Sequence, residues 1–274
     1  MSFSLDLRYH ICLQPIDLPV FNSVALELLQ LLADPRADID HVMTIIQKDP
    51  ALALQVLRMA NSSAYAGRTR SETIKDAVNR LGIRQISNLA MAASQAALHT
   101  SELPVVSEVM KDLWLHSHAC AIGCRSLAEL SGNRELGDQA YLAGLLHDIG
   151  KLYLLKALER ISLAQETCFE LDLETLLNVF SDMHVEQGVR IMNHWDIPPL
   201  YRSVVAGHHA EFFDAEDRLL TLVRLVNFQS VQYGLNLYPR LVQPLGADTE
   251  IALLNIDEAD LAQLETDMRA ATAS

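Results

Sequence analysis

YLAGLLHDIGKL, residues Tyr141–Leu152, is an apolar run with His147 and Asp148 side by side in its middle. An ionised carboxylate inside such a segment is costly unless it is paired or bound to a metal. Neighbouring residues lie roughly 100° apart on a helix, so both side chains can face one polar cavity. Gly150 follows at once, where a helix is loosened or closely approached, and Lys151 places a cation one turn from the pair. Two readings are open from this dipeptide. One is a divalent metal held by imidazole and carboxylate. The other is a buried pair bonded to backbone or to each other.

Working outward, nearly every segment has helical rather than alternating periodicity, and no convincing strand pattern appears. The spacing predicts an all-α protein. Before the pair, helices are expected over 19–32, from Asp38 as N-cap, from Pro50 as first helical position, over 74–81 closed by Gly82, and over 83–98. Asp34-Pro35 and Asp49-Pro50 are the breaks. After Pro104, one long helix over 105–130 carries Trp114, His116 and His118. The pair itself is expected within one helix over 135–155. Further helices are expected around 158–168, 173–180, 184–195, 200–210 and 218–233, then one or two acidic helices over 248–271. This pattern predicts two helical lobes, 1–100 and 101–274.

Half of the 274 residues are hydrophobic, enough for a sizeable core. No apolar run reaches the ~18 residues of a membrane span. The start MSFSLDLRYHICLQ lacks the pattern of a signal peptide. Cys12, Cys120, Cys124 and Cys168 form no CxxC pair. Cys120 and Cys124, at i,i+4, read as two small core residues on one helix face. A reduced, cytoplasmic protein is the expectation. A formal net charge of -14 argues against broad binding to nucleic acid or to an anionic membrane.

Ten histidines are present. Five of them, His116, His147, His184, His208 and His209, fall on helices of the second lobe in the order H…HD…H…HH. Five imidazoles and one carboxylate are about the ligand number of a two-metal site that activates water for attack on phosphate. Imidazole favours a divalent transition metal (iron, manganese, nickel or zinc) over calcium. A lone histidine is more often an ordinary core or surface residue. His10, His41, His99, His118 and His194 are assigned to that class, His118 because it points to a different helix face from His116.

The order His116, His147-Asp148, Lys151, His184, His208-His209 resembles the HD superfamily of metal-dependent phosphohydrolases, and in particular the expanded ligand set of its HD-GYP branch. The resemblance implies that His116, His147, Asp148, His184, His208 and His209 hold one or two metal ions. It also implies that Lys151, the catalytic candidate with Asp148, contacts a substrate phosphate or the bridging hydroxide. Two departures stand out. The superfamily's last ligand is an aspartate, and the matching stretch VRLVNFQSVQYG offers Asn227, a much weaker ligand. The residues after His208-His209 read AEFFDAEDR without a Gly-Tyr-Pro loop, which speaks against hydrolysis of cyclic di-GMP.

The first lobe resembles the HDOD family, the HD-related output domain of bacterial signalling proteins. The residues that carry this are Leu18-Pro19, Asp49-Pro50-Ala51-Leu52, Leu57, Asn61-Ser62, Tyr65 and Ala77 to Gly82, and the phrase DPALALQVLRMANSSAYAG. The likeness continues through LWLHSHACAIGCRSLAE and AYLAGLLHDIGKL and covers about residues 10–215. It implies a two-lobed helical HDOD fold with an HD-type bundle in the second lobe. Two functions follow from it: a metal-dependent phosphohydrolase of a nucleotide or other phosphoester, and a catalytically inactive module that acts through signalling protein partners. A third reading, packed histidines without metal, is disfavoured by their register.

Overall fold

The helical periodicity carries through to the backbone, which has no strand among the described residues. The structure, a computed structural model, describes residues 5–16, 20–32, 36–62, 65, 70–164, 171–235 and 246–272. Leu18-Pro19, Asp34-Pro35 and Cys168 lie outside them. The chain forms two compact units, one from residues 21–98 and one from the described residues of 1–20 and 99–274.

The first unit holds α2 (Ser23–Leu31), α3 (Ile39–Ile46), α4 (Pro50–Ala60) and α5 (Ile74–Leu98). Each start is fixed by a side chain that takes up N–H groups the helix leaves free. Asn22 Oδ1 accepts from Val24 and Ala25, at 2.8 and 3.2 Å. Asp38 Oδ1 accepts from His41 and Asp49 Oδ1 from Leu52, both at 2.9 Å. Gly82, at φ +82°, bends α5 where only a residue without Cβ sits easily. Leu28, Val42, Ile46, Val56, Ile86 and Leu89 fill the core. Asn61 does more than end α4 locally. Its amide exchanges two 2.9 Å hydrogen bonds with the backbone of Ser71, closing the chain between α4 and α5.

The second unit holds α1 (Leu5–Leu13), α6 (Pro104–Leu130), α7 (Gly137–Leu146), α8 (Ile149–Ala164), α9 (Leu173–His194), α10 (Pro199–Gly207), α11 (Arg218–Gln232), α12 (Asp248–Leu254) and α13 (Glu258–Thr272). Helix α6 packs on α7, α11 and α13; α8 packs on α9 and α1; α10 packs on α9 and α11. Tyr141, Tyr153, Met110, Leu113 and Leu127 are fully buried.

Three expectations need correction. The helix over 135–155 is interrupted: a 3-10 turn at Arg134–Leu136 precedes α7, and the His-Asp pair lies at the junction of α7 and α8. The cause is chemical. In a continuous helix the Gly144 carbonyl would accept from the Asp148 N–H. Here His147 Nδ1 takes that carbonyl at 2.8 Å, and Lys151 N–H donates back to Asp148 O at 2.8 Å, tightening the turn. Of the separate helix expected around 158–168, the described residues 158–164 are instead the end of α8 (Ile149–Ala164). The helices expected over 173–180 and 184–195 are one, because Ser181-Asp182-Met183 contains no breaker and Asp172 caps the whole of α9.

Candidate metal centre

Four helix ends and faces converge on the Asp148 carboxylate, which is 2% exposed. Oδ2 lies 3.3 Å from His147 Nε2, 3.4 Å from His116 Nε2 and 2.6 Å from Lys151 Nζ. Oδ1 lies 3.4 Å from His208 Nε2 and 3.7 Å from His184 Nε2. His209 completes the ring cluster, its centroid 4.2 Å from His208 and 5.1 Å from His184. His209 is exposed, so this side of the cluster opens to solvent. Thus His116 from α6, His147, Asp148 and Lys151 from the α7–α8 junction, His184 from α9, and His208-His209 after α10 come together.

Glycines let the helices come this close. A Cβ on Gly144 would lie 2.6 Å from the Cys120 carbonyl oxygen on α6. A Cβ on Gly150 would run into the His184 carbonyl oxygen and lie 2.8 Å from Gly188 N on α9. The first absence seats His147 beside His116, the second Asp148 beside His184.

The hydrogen bonds fix the tautomers. A carbonyl only accepts, so an imidazole nitrogen facing one carries the proton. His147 Nδ1 faces Gly144 O at 2.8 Å, His184 Nδ1 faces Phe180 O at 2.5 Å, His208 Nδ1 faces Val205 O at 2.9 Å and His116 Nδ1 faces Leu235 O at 3.2 Å. Each Nε2 is therefore a bare lone pair aimed at a carboxylate. His184 Nε2, His208 Nε2 and Asp148 Oδ1 are buried with no hydrogen-bond partner. Lone pairs facing lone pairs in a buried site repel, and a divalent metal between them would satisfy all three. The donor set fits, and two groups of residues could each hold an ion: Asp148 with His184, His208 and His209, and His116 with Cys120 and His147.

The electrostatics agree. Burial alone would raise the Asp148 carboxyl, yet the Lys151 ammonium beside it holds it well below the usual carboxylate range. Burial pushes the His116 and His208 imidazoliums down against the pull of Asp148. Burial and the Lys151 charge bring His184 down to about 3. These three imidazoles are thus neutral and fit to ligate.

Asn227 lies on α11 and is half-buried, its carbonyl accepting from Ser230 Oγ at 2.6 Å. Its amide makes no hydrogen bond to the cluster among the described residues. His118 stacks on Trp114 instead, centroids 5.1 Å apart.

Sequence reasoning missed two residues. Cys120 is not only a core filler: its Sγ lies 3.8 Å from both His116 ring nitrogens. Its i,i+4 spacing from His116 was the available signal. Arg224 was invisible inside the apolar RLLTLVRLVN. Its Nη1 donates to Gly207 O at 3.0 Å and Ala210 O at 2.8 Å, and its Nε to Glu250 Oε1 at 2.8 Å. It thereby holds the backbone that presents His208 and His209.

Comparison with known proteins matches the HDOD domain model over residues 18–211. An uncharacterized protein of Treponema pallidum (strain Nichols) is 25% identical over 197 residues, which are 70% of this chain and 38% of that protein. The chain thus spans well under half the length of that relative. Among solved structures, a candidate metal-dependent phosphohydrolase from Shewanella amazonensis SB2B superposes with a TM-score of 0.73 at 21% identity, covering 98% of this chain and 95% of that one. An HDOD domain protein of unknown function from Geobacter sulfurreducens gives 0.74 at 20%, covering 94% and 92%. A candidate signal transduction protein from Marinobacter aquaeolei VT8 gives 0.69 at 23%, covering 97% and 64%. These likenesses establish the helical fold.

Proposed function

The chain belongs to the HDOD domain family, and from that premise we propose that it is a metal-dependent phosphohydrolase of a nucleotide or other phosphoester in bacterial signalling. The observation that carries the reading is the set of bare Nε2 lone pairs converging on a buried, ionised Asp148. The Shewanella neighbour's name adds support from outside the chain.

His116, His147, Asp148, His184, His208 and His209 hold the metal, as one or two ions of iron, manganese, nickel or zinc. A metal held there would supply Lewis-acid polarisation of a phosphoryl oxygen and activation of water for attack at phosphorus. Asp148 bridges the two halves, one oxygen to each. The backbone carbonyls behind each Nδ1 keep the rings in ligating orientation. The opening at His209 admits the phosphoester. Lys151 pairs with Asp148 Oδ2, on the side of His116 and His147, and is the cation nearest to the centre for a substrate phosphate.

One observation favours a second reading, a metal-binding module that acts through protein partners without turnover. Lys151 Nζ is spent on Asp148 at 2.6 Å, and Asn227 adds no anion. The two readings separate in one experiment. Wild type, His147→Ala and Asp148→Ala are assayed for metal content by plasma mass spectrometry. Each is then assayed for manganese- and iron-dependent hydrolysis of aryl phosphates and a nucleotide panel that includes cyclic di-GMP. Metal and turnover lost together in both variants support the hydrolase. Turnover that survives both variants refutes it. Stoichiometric metal without turnover across the panel transfers the conclusion to the regulatory module.

A further inference from the structure

Cys120 sits one helical turn after His116, on the wall of the centre. Its Sγ is 3.8 Å from His116 Nε2 and within 4.8 Å of the ligating nitrogen of His147. Cys124, one turn further, has an ordinary packing role: its Sγ occupies the space beside Gly144. Cys120 faces the polar side instead. There the two imidazoles present Nε2 to Nε2 at 3.3 Å while both Nδ1 atoms point at carbonyls. Neither Nε2 has a proton to share, and both rings are almost wholly buried. That pair needs a cation of its own.

We infer that Cys120 is a metal ligand, closing a tetrahedral site with His116 Nε2, His147 Nε2 and Asp148 Oδ2 for a thiophilic first-row ion such as zinc, iron(II) or cobalt(II). The inference rests on the metal centre proposed above and assigns different roles to its two halves. With metal–nitrogen bonds of about 2.05 Å and a metal–sulfur bond of about 2.3 Å, tetrahedral edges are about 3.3 Å between nitrogens and about 3.6 Å from nitrogen to sulfur. The observed 3.3 and 3.8 Å need little adjustment. Asp148 Oδ2 is 3.4 and 3.3 Å from the same nitrogens.

Among the described residues, the other anion of this half is one oxygen of Asp148, already paired with Lys151. On metal binding the Cys120 thiol gives its proton to solvent, and the thiolate supplies the second negative charge. Four protein ligands leave no open position, the mark of a structural site. The half built from Asp148 Oδ1, His184, His208 and exposed His209 keeps the opening and the chemistry.

The test is an anaerobic cobalt(II) titration of metal-stripped protein, read by absorption. Wild type and Cys124→Ser show a near-ultraviolet sulfur-to-cobalt band that saturates at one equivalent. Cys120→Ser loses that band and keeps visible cobalt transitions from the open half. Wild type that binds cobalt without the band, or Cys120→Ser that retains it, overturns the ligand assignment and leaves the metal centre standing. Wild type that binds no cobalt overturns the centre and this inference with it. X-ray absorption of zinc-loaded wild type guards against a misfolded variant: sulfur at about 2.3 Å supports the assignment, and its absence refutes it.

Discussion

Gly150→Ala tests whether backbone contact between α8 and α9 builds the centre. On helix propensity alone, replacing glycine by alanine stabilises by about 0.5–1 kcal/mol. The structure reverses that sign. The new Cβ would overlap the His184 carbonyl oxygen and come within 2.8 Å of Gly188 N and 2.9 Å of His184 C, where ordinary contact is 3.4–4 Å. All of these are backbone atoms, so no side chain can swing away. Overpacking of this kind costs about 1–3 kcal/mol, occasionally more. The net expectation is destabilisation of about 1–2 kcal/mol. At about 2–4 °C per kcal/mol in a chain of this size, the melting temperature falls by about 2–8 °C. Helix α9 must also back away from Asp148, lengthening the 3.7 Å between His184 Nε2 and Asp148 Oδ1. Cobalt affinity at the open half should therefore fall by about 10–100-fold, as for other losses of ligand support. Circular dichroism melts of the metal-free protein and a cobalt titration measure the two effects. A variant that melts at or above wild type, with unchanged cobalt affinity, would refute the close-contact account.

Three further outcomes are expected. Metal-free protein should lose stability as pH falls from about 6.5 toward 4. His116, His184 and His208 have folded-state values below the ordinary one, so the unfolded chain takes up more protons in that window. Their contribution is complete above about 6.5 and is lost on acidification toward their folded values. Each such proton is worth about 1.4 kcal/mol per pH unit, and Asp148 adds a loss in the same direction below about 4. A flat urea-denaturation profile from pH 6.5 to 4.5 contradicts the assignment, and His184→Gln should flatten the slope. Arg224→Lys keeps the charge but not the planar fork, so the Gly207 and Ala210 carbonyls lose their shared donor; cobalt affinity should drop about 10-fold or more, and unchanged affinity removes Arg224 from the positioning role. Asp49→Ala removes the α4 cap and the 3.0 Å bond from Asn22 Nδ2, costing about 1 kcal/mol of stability with metal content unaltered; a change in metal content would show that the cap reaches the centre.

What could be seen in the sequence, and what could not, follows the range of the forces involved. The cap at Asp38, the break at Asp49-Pro50, Pro50 at a helix start and the helix boundary at Gly82 depend on contacts within four residues, so local pattern shows them. The five histidines were legible because their types and order are unusual in an apolar chain. Where helices merge or break was less legible. Ser181 to Met183 looks like an interruption but contains nothing that stops a helix. The break at His147 comes from a side chain competing for one carbonyl, which periodicity does not record.

The residue types and their spacing by themselves determined an all-α chain and the donors of a metal centre, because period and chemistry are properties of the sequence. Only the tertiary structure decided which donors meet. Gly144 carries no signal of its own, and Gly150 reads as a place where a helix is loosened or closely approached without saying by what, until α6 and α9 are seen against them. Arg224 reads as an accident until it grips the end of α10. Cys120 reads as core until its sulfur is found beside His116. The glycine and Arg224 contacts join residues far apart in the chain, and all of them depend on ångström-scale placement that no local pattern encodes.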